Sequence, residues 1–175
     1  MKRLFLLRHA KAEQANKDTP ADCERPLTGR GRSDASLVGE AMRKKGYSPD
    51  LILCSPSVRT RETLELAQSE FGGKARAEFL EALYAASARK IAQIVRDLPE
   101  NARKPLLVGH NPGFEECAAL LMNKSEAATK RFDSNVEKFP TCALMVLDFD
   151  ISLWKDVKPH TGKLADFIRP KDLRT

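Results

Sequence analysis

The chain has 175 residues, 42% of them apolar and 31% charged. That length buries roughly 70% of the unfolded surface, so one domain needs no metal or disulfide staple, and the composition is that of a folded globular chain rather than a disordered one. The net charge of +6 and pI near 9.2 favour anionic partners. Basic residues are scattered with no five-residue Lys/Arg block, and aromatics are only 6%, so a nucleic-acid groove with stacking platforms is not expected. Cys23, Cys54, Cys117 and Cys142 form no Cys-x-x-Cys pair and read as free thiols of a reducing compartment. The apolar run Leu4 to Leu7 is too short for a signal peptide, and no stretch is long enough to span a bilayer. A cytoplasmic protein without membrane or nucleic-acid partners is expected.

In chain order, RLFLLR (3–8) predicts a buried strand, and the polar stretch 9–28, with Pro20 and Pro26, a loop. Thr28 can cap a helix over about 30–45 that stops at Gly46, with Ala35, Val38 and Met42 at helical spacing. DLILCS (50–55) predicts a second strand. Ser55-Pro56 reads as an N-cap followed by proline in the first turn, opening a helix to about Phe71 that Gly72-Gly73 ends. A short strand is expected at 76–80 and a helix at about 87–97. Strand PLLVGH (105–110) follows, and Asn111-Pro112 repeats the cap-then-proline signal for a helix to about Met122. Residues 123–140 predict a loop or loosely held helix. TCALMVLDFD (141–150) and LWKDVKP (153–159) read as a hairpin of strands, with a polar tail over 163–175. Alternation of strands and helices predicts an α/β fold: a three-layer sandwich with a mainly parallel central sheet, helices on both faces and an antiparallel edge strand.

Two histidines occupy equivalent slots: His9 ends the first strand run and His110 the fourth. Open α/β sheets bind ligands outside the carboxyl ends of their strands, so the two can face one site. Arg59 falls in the first turn after a third strand end, and Arg8 lies beside His9. Guanidinium forks match phosphate oxygens, a neutral imidazole is a competent nucleophile at pH 7, and a second histidine can stabilise the charge of a phosphoryl-transfer transition state. Lone Arg-His pairs are usually surface charge, so the weight rests on three segments in order.

Those segments are LLRHAKAE, CSPSVRTRETLE and LLVGHNPGFEE. They resemble the Arg-His-Gly signature, the Ser-Pro-x-x-Arg-x-x-x-Thr segment and the second-histidine segment of the histidine phosphatase superfamily, which is phosphoglycerate mutase-like. ERPLTGRGRSDA, LYAAS after Glu81 and the short length resemble its small SixA-like phosphohistidine phosphatase branch. Ala10 stands where the signature has glycine. The resemblance covers nearly the whole chain. It implies one histidine phosphatase domain over 1–175 and a phosphohistidine intermediate on His9. Arg8, Arg59 and His110 form the phosphate pocket, with Asn111 as a secondary contact to its N-cap role. Glu81 stands in the segment that carries the proton donor in relatives. No cofactor and no metal are implied. The substrate is a phosphorylated protein, such as a histidine-phosphorylated signalling domain, or alternatively a small phosphate ester, with phosphate as product and inhibitor. His160, Lys11 and the Glu115-Glu116 pair have sufficient structural explanations as a structural or exposed residue, a solvated charge and helix-dipole complements.

Overall fold

A computed structural model describes residues 1–15, 21–123 and 139–174. Six strands form one sheet: β1 (Lys2–Arg8), β2 (Leu51–Cys54), β3 (Ala77–Phe79), β4 (Pro105–Gly109), β5 (Leu144–Phe149) and β6 (Lys163–Ile168). Their spatial order is β3-β2-β4-β1-β5-β6. The first four pair in parallel, while β1 with β5 and β5 with β6 are antiparallel. The helices are α1 (Gly29–Lys44), α2 (Val58–Phe71), α3 (Ala88–Arg96) and α4 (Gly113–Leu121).

Period-2 alternation along apolar strands divides the core into two layers. Leu4 and Leu6 of β1 face the layer that holds Ile91 and Val95 of α3 and Phe114 and Cys117 of α4. Phe5 and Leu7 face the layer that holds Val38 and Met42 of α1 and Leu64 of α2. The chain winds outward from β1 through α1, β2 and α2 on one face. It returns through α3 to β4 on the other and then continues to β5 beyond β1. The reversal falls between β1 and β4, the adjacent strands whose ends carry His9 and His110.

The start of α1 follows the expected signal, and α3 has a serine cap as well. The Thr28 hydroxyl accepts from Gly31 N at 3.0 Å, and the Ser87 hydroxyl accepts from Lys90 N at 3.3 Å. At the other two helices the expected caps are corrected. Helix α2 starts at Val58 with Ser57 as its N-cap, because the Ser55 hydroxyl bonds to His110 instead. At α4 the N-cap position is Pro112, and the Asn111 amide is turned to Glu115 and the Phe139 carbonyl.

The expected hairpin is corrected too. Residues 153–159 carry a 3-10 turn, Trp154–Asp156, rather than a strand. Trp154 is buried, and its Nε1–H donates to the Ala102 carbonyl at 2.7 Å, which takes this segment out of the sheet. The strand that pairs with β5 is β6, within the segment expected as a polar tail. Residues 124–138, most of the expected loop, lie outside the described residues.

Candidate active site

The carboxyl ends of β1, β2 and β4 converge on one cleft of about 440 Å³. Arg8 is the last residue of β1. His9 N donates to Gly109 O at 3.0 Å, and His9 O accepts from Cys142 N at 3.0 Å. The backbone of His9 is thus pinned from both sides. Ala10 is fully buried against the α1/α2 layer, so the methyl that replaces glycine is absorbed by packing. Its N–H donates to the Thr63 hydroxyl at 2.9 Å, which in turn donates to the Arg59 carbonyl at 2.6 Å. The first turn of α2 is thereby tied to the end of β1.

Two close backbone approaches shape the rim. A Cβ at Gly31 would sit 2.1 Å from the Lys11 carbonyl, and one at Gly113 would sit 1.9 Å from the Ala86 carbonyl. Only glycine lets α1 close on the segment after His9, and only glycine lets the Tyr84-bearing segment lie against the start of α4.

His9 Nδ1 lies 2.8 Å from the Ala10 carbonyl. A carbonyl only accepts, so Nδ1 carries the proton and the Nε2 lone pair is left for chemistry. Burial pushes the His9 pKa down to about 3, against the Ala10 bond, and the nearby His110, Arg59 and Arg8 add to the fall. His9 is therefore a neutral imidazole at pH 7. The His110 ring lies 5.2 Å from that of His9, centroid to centroid. Its Nε2 is 2.7 Å from the Ser55 hydroxyl, and Tyr84 meets its ring edge-on at 5.4 Å. Burial, then the field of Arg59, lowers the His110 pKa to about 4.

Arg8 donates through Nη1 to the Phe139 carbonyl at 2.8 Å, which also accepts from Asn111 Nδ2 at 3.1 Å. Arg59, 5% exposed, donates through Nη1 to the Asp22 carbonyl at 2.6 Å and through Nη2 to the Asp22 carboxylate at 2.9 Å. That carboxylate also accepts from the Tyr84 hydroxyl at 2.7 Å and from Arg25 Nε at 2.9 Å. The Tyr84 bond, then Arg59 and Arg25, hold it far below the ordinary carboxylate range against a smaller opposing effect of burial. Arg8 Nε, Arg59 Nε and His110 Nδ1 are buried without a hydrogen-bond partner among the described residues. Asn111 Oδ1, an acceptor, is likewise buried without a partner among them. The three nitrogens are donor-capable and belong to cleft-lining residues, and an anion would relieve their cost.

Arg8, His9, Arg59, His110 and Asn111, all expected from the sequence, line the cleft. Glu81 does not: it is exposed on the 3-10 turn Glu81–Leu83, whose orientation is fixed by Leu83 in the core. Tyr84, three residues on, lines the cleft in its stead, as does Asp22. Sequence reasoning missed both, and it took Ser55 for a helix cap. Asp22 sits in a polar loop with no motif of its own, whereas Tyr84 lay inside the quoted LYAAS segment and could have been flagged there. Among the described residues no group of three or more His, Cys, Asp or Glu side chains could hold a metal ion.

The family model of the histidine phosphatase superfamily (branch 1) matches residues 4–138. The chain belongs to this superfamily. An uncharacterized protein of Mycobacterium tuberculosis is 33% identical over 165 residues, covering 94% of this chain and all of that one. Among solved structures, a protein from Nakamurella multipartitia provisionally assigned as the phosphohistidine phosphatase SixA superposes with a TM-score of 0.79 at 27% identity, covering 97% of this chain and 96% of its own. Its counterpart from Agrobacterium tumefaciens, assigned in the same way, gives 0.76 at 29% identity over 97% and 98%. The superfamily membership and these neighbours support phosphatase activity for this chain. Among the described residues no helix is long and apolar enough to cross a membrane.

Proposed function

We propose that this chain is a phosphohistidine phosphatase, transferring the phosphoryl group of a protein phosphohistidine to His9 Nε2 and then to water. The observation that carries the substrate choice is the state of the cleft's carboxylate. Among the described residues Asp22 is the one carboxylate lining it, and that group is held ionised by Tyr84, Arg59 and Arg25. Among the described residues no lining carboxylic acid is then available at pH 7 to protonate a departing alkoxide, which ester cleavage wants. A phosphoimidazole protonated on its other ring nitrogen leaves as neutral imidazole and needs no such donor. The likeness to the two SixA-assigned proteins supports the same reading.

In the first step the Nε2 lone pair of His9 forms a bond to phosphorus as the bond to the substrate nitrogen breaks, and that nitrogen keeps the electron pair. The phosphoryl oxygens take up the unpartnered Nε–H groups of Arg8 and Arg59, with Nδ1–H of His110 as the third donor. In the second step water oxygen bonds to phosphorus as the P–N bond breaks, one water proton passes to a phosphoryl oxygen of the departing phosphate, and the electron pair returns to His9 Nε2. The charge balance comes from side chains of this chain, so the reading requires no metal.

Turnover of a phosphohistidine protein, a phosphoserine protein and common sugar phosphates tests the proposal. A kcat/KM for phosphohistidine at least tenfold above the others is expected. Because 440 Å³ is also within the range of small-ligand sites, higher efficiency on a small phosphate ester would make the chain a small-molecule phosphomonoesterase.

A further inference from the structure

Beside the catalytic cleft lies a second one of about 380 Å³. Its walls come from the segment after β1, the start of α1 and the stretch after β6. Among the described residues they carry five cationic side chains, Lys11, Arg30, Arg169, Lys171 and Arg174, against one carboxylate, Asp34. Lys11 and Thr141 line both clefts, so the two are continuous. Positive side chains therefore cluster next to the phosphoryl site.

The reaction described above does not use this cleft. Its arginines already show the chemistry it accepts. Arg169 sits on the Asp172 carboxylate through Nε at 2.6 Å and Nη2 at 3.0 Å, and Arg174 bonds the buried Asp34 carboxylate. The Arg174 contact ties the C-terminal stretch to α1, and the Arg169 pair is internal to that stretch. Arg30 reaches Asp34 only at 4.0 Å, with its side chain 63% exposed. Lys11 is exposed and makes no ion pair among the described residues.

We infer that the second cleft binds carboxylate side chains that flank the phosphohistidine of the substrate protein, so the enzyme selects phosphohistidines in acidic surroundings. This rests on the phosphohistidine-protein reading above. A group held at His9 places neighbouring residues of its own chain over Lys11 and Thr141, the shared wall. Carboxylates there meet Arg30 and Lys171, both on the exposed rim. Neither residue lies in the phosphoryl cleft, so both can be changed without touching the chemistry.

The test uses three substrates: free phosphohistidine, a phosphohistidine peptide with flanking Glu residues, and the same peptide with Gln. Wild type is expected to prefer the Glu peptide, and 0.5 M salt to erase the preference. The double variant R30Q/K171Q is expected to lose roughly three- to tenfold in kcat/KM on the Glu peptide alone, as exposed charge pairs allow. Free phosphohistidine should stay within about twofold. Equal efficiency of wild type on the two peptides overturns the inference. So does an equal loss by the variant on free phosphohistidine, or a greater gain from a second phosphate on a small molecule than from flanking Glu.

An NMR titration with the unphosphorylated Glu peptide reads the cleft without turnover. The amide signals of Arg30, Thr141 and Lys171 should move in wild type and not in the variant. If no phosphohistidine is hydrolysed but these shifts occur, the function reading fails and the acidic-segment site stands. If the shifts are absent, the site falls.

Discussion

Replacing Ser55 by alanine separates the catalytic from the packing role of the second histidine. The Ser55 hydroxyl is fully buried and lies 2.7 Å from His110 Nε2. A hydroxyl can donate to Nε2 when the ring is neutral and accept from Nε2–H when it is charged. With burial and Arg59 lowering the His110 pKa to about 4, the ring is neutral at pH 7 until an anion arrives. A phosphoryl group held by Arg8 and Arg59 calls on Nδ1–H as a donor and favours the charged form. Ser55 serves both states, which no apolar side chain and no single-role group can do.

Alanine leaves Nε2 without a partner in a buried place, which costs about 1–3 kcal/mol of stability. For a chain of this size that lowers Tm by about 2–4 °C per kcal/mol. A hydrogen bond to a charged group is worth about 1.5–3 kcal/mol, against about 1 for a neutral pair. The transition state therefore loses roughly 0.5–2 kcal/mol more than the ground state, a two- to thirtyfold fall in kcat. Ser55→Thr, which keeps the hydroxyl, should recover most of kcat. Steady-state kinetics with melting curves for both variants is the assay. A Ser55→Ala protein with lowered Tm but unchanged kcat, or a threonine variant as slow as alanine, would show that Ser55 only fills space.

Rapid quench of wild type with labelled substrate should trap an acid-labile, base-stable phosphoenzyme that is absent from His9→Ala; an acid-stable label would refute His9 as the acceptor. Thermal melts should show stability falling as pH drops from about 6.5 towards 4. The unfolded chain takes up protons near 6.5 that His9 and His110, with pKa values of about 3 and about 4, refuse when folded. The double variant His9→Gln/His110→Gln should flatten that slope, and an unchanged slope would assign it to other groups. Exhaustive chelation should leave turnover intact while vanadate and phosphate inhibit; loss restored by a divalent ion would count against the charge balance drawn here. Glu81→Gln should leave kcat/KM within about twofold on phosphohistidine and on esters alike, since Glu81 does not line the cleft; a selective fall on esters would bring it back as proton donor.

The four residues His9, Arg8, Arg59 and His110 were legible because each stands at or just past the end of an apolar strand run, and strand ends are readable from hydrophobicity. What hydrophobicity does not carry is the order of strands in the sheet. β1 and β4 are neighbours, with Arg8 opposite Gly109, although about a hundred residues separate them. Only that pairing brings the two imidazoles to 5.2 Å. Ser55 was misread for a related reason: Ser-Pro at a strand end is a sound local cap signal, and the competing partner, His110, is invisible to local reasoning. The last strand failed on composition. Trp154 and Val157 look like strand residues but fill the core from a 3-10 turn, while KLADFI, with alternate positions half-exposed, is an edge strand that reads as a polar tail.

Asp22 shows how a site can depend on a residue with no motif. Arg8 and Arg59 bring two positive charges to one cleft, and both lower the proton affinity of the two imidazoles. Asp22 offsets part of that charge by taking both terminal nitrogens of Arg59, one on its carbonyl and one on its carboxylate. Tyr84 and Arg25 hold the same carboxylate from the other sides. Arg59 is thus fixed by its outer edge, while its inner Nε, like those of Arg8 and His110 Nδ1, carries no protein partner among the described residues. On the proposed reaction the terminal nitrogens of Arg59 anchor it and the inner nitrogens meet the phosphoryl oxygens. A carboxylate in that position cannot also be an acid, since the bonds that make it an anchor keep it ionised. The anchoring of Arg59 and the proposed preference for a leaving group that needs no proton therefore rest on one and the same side chain.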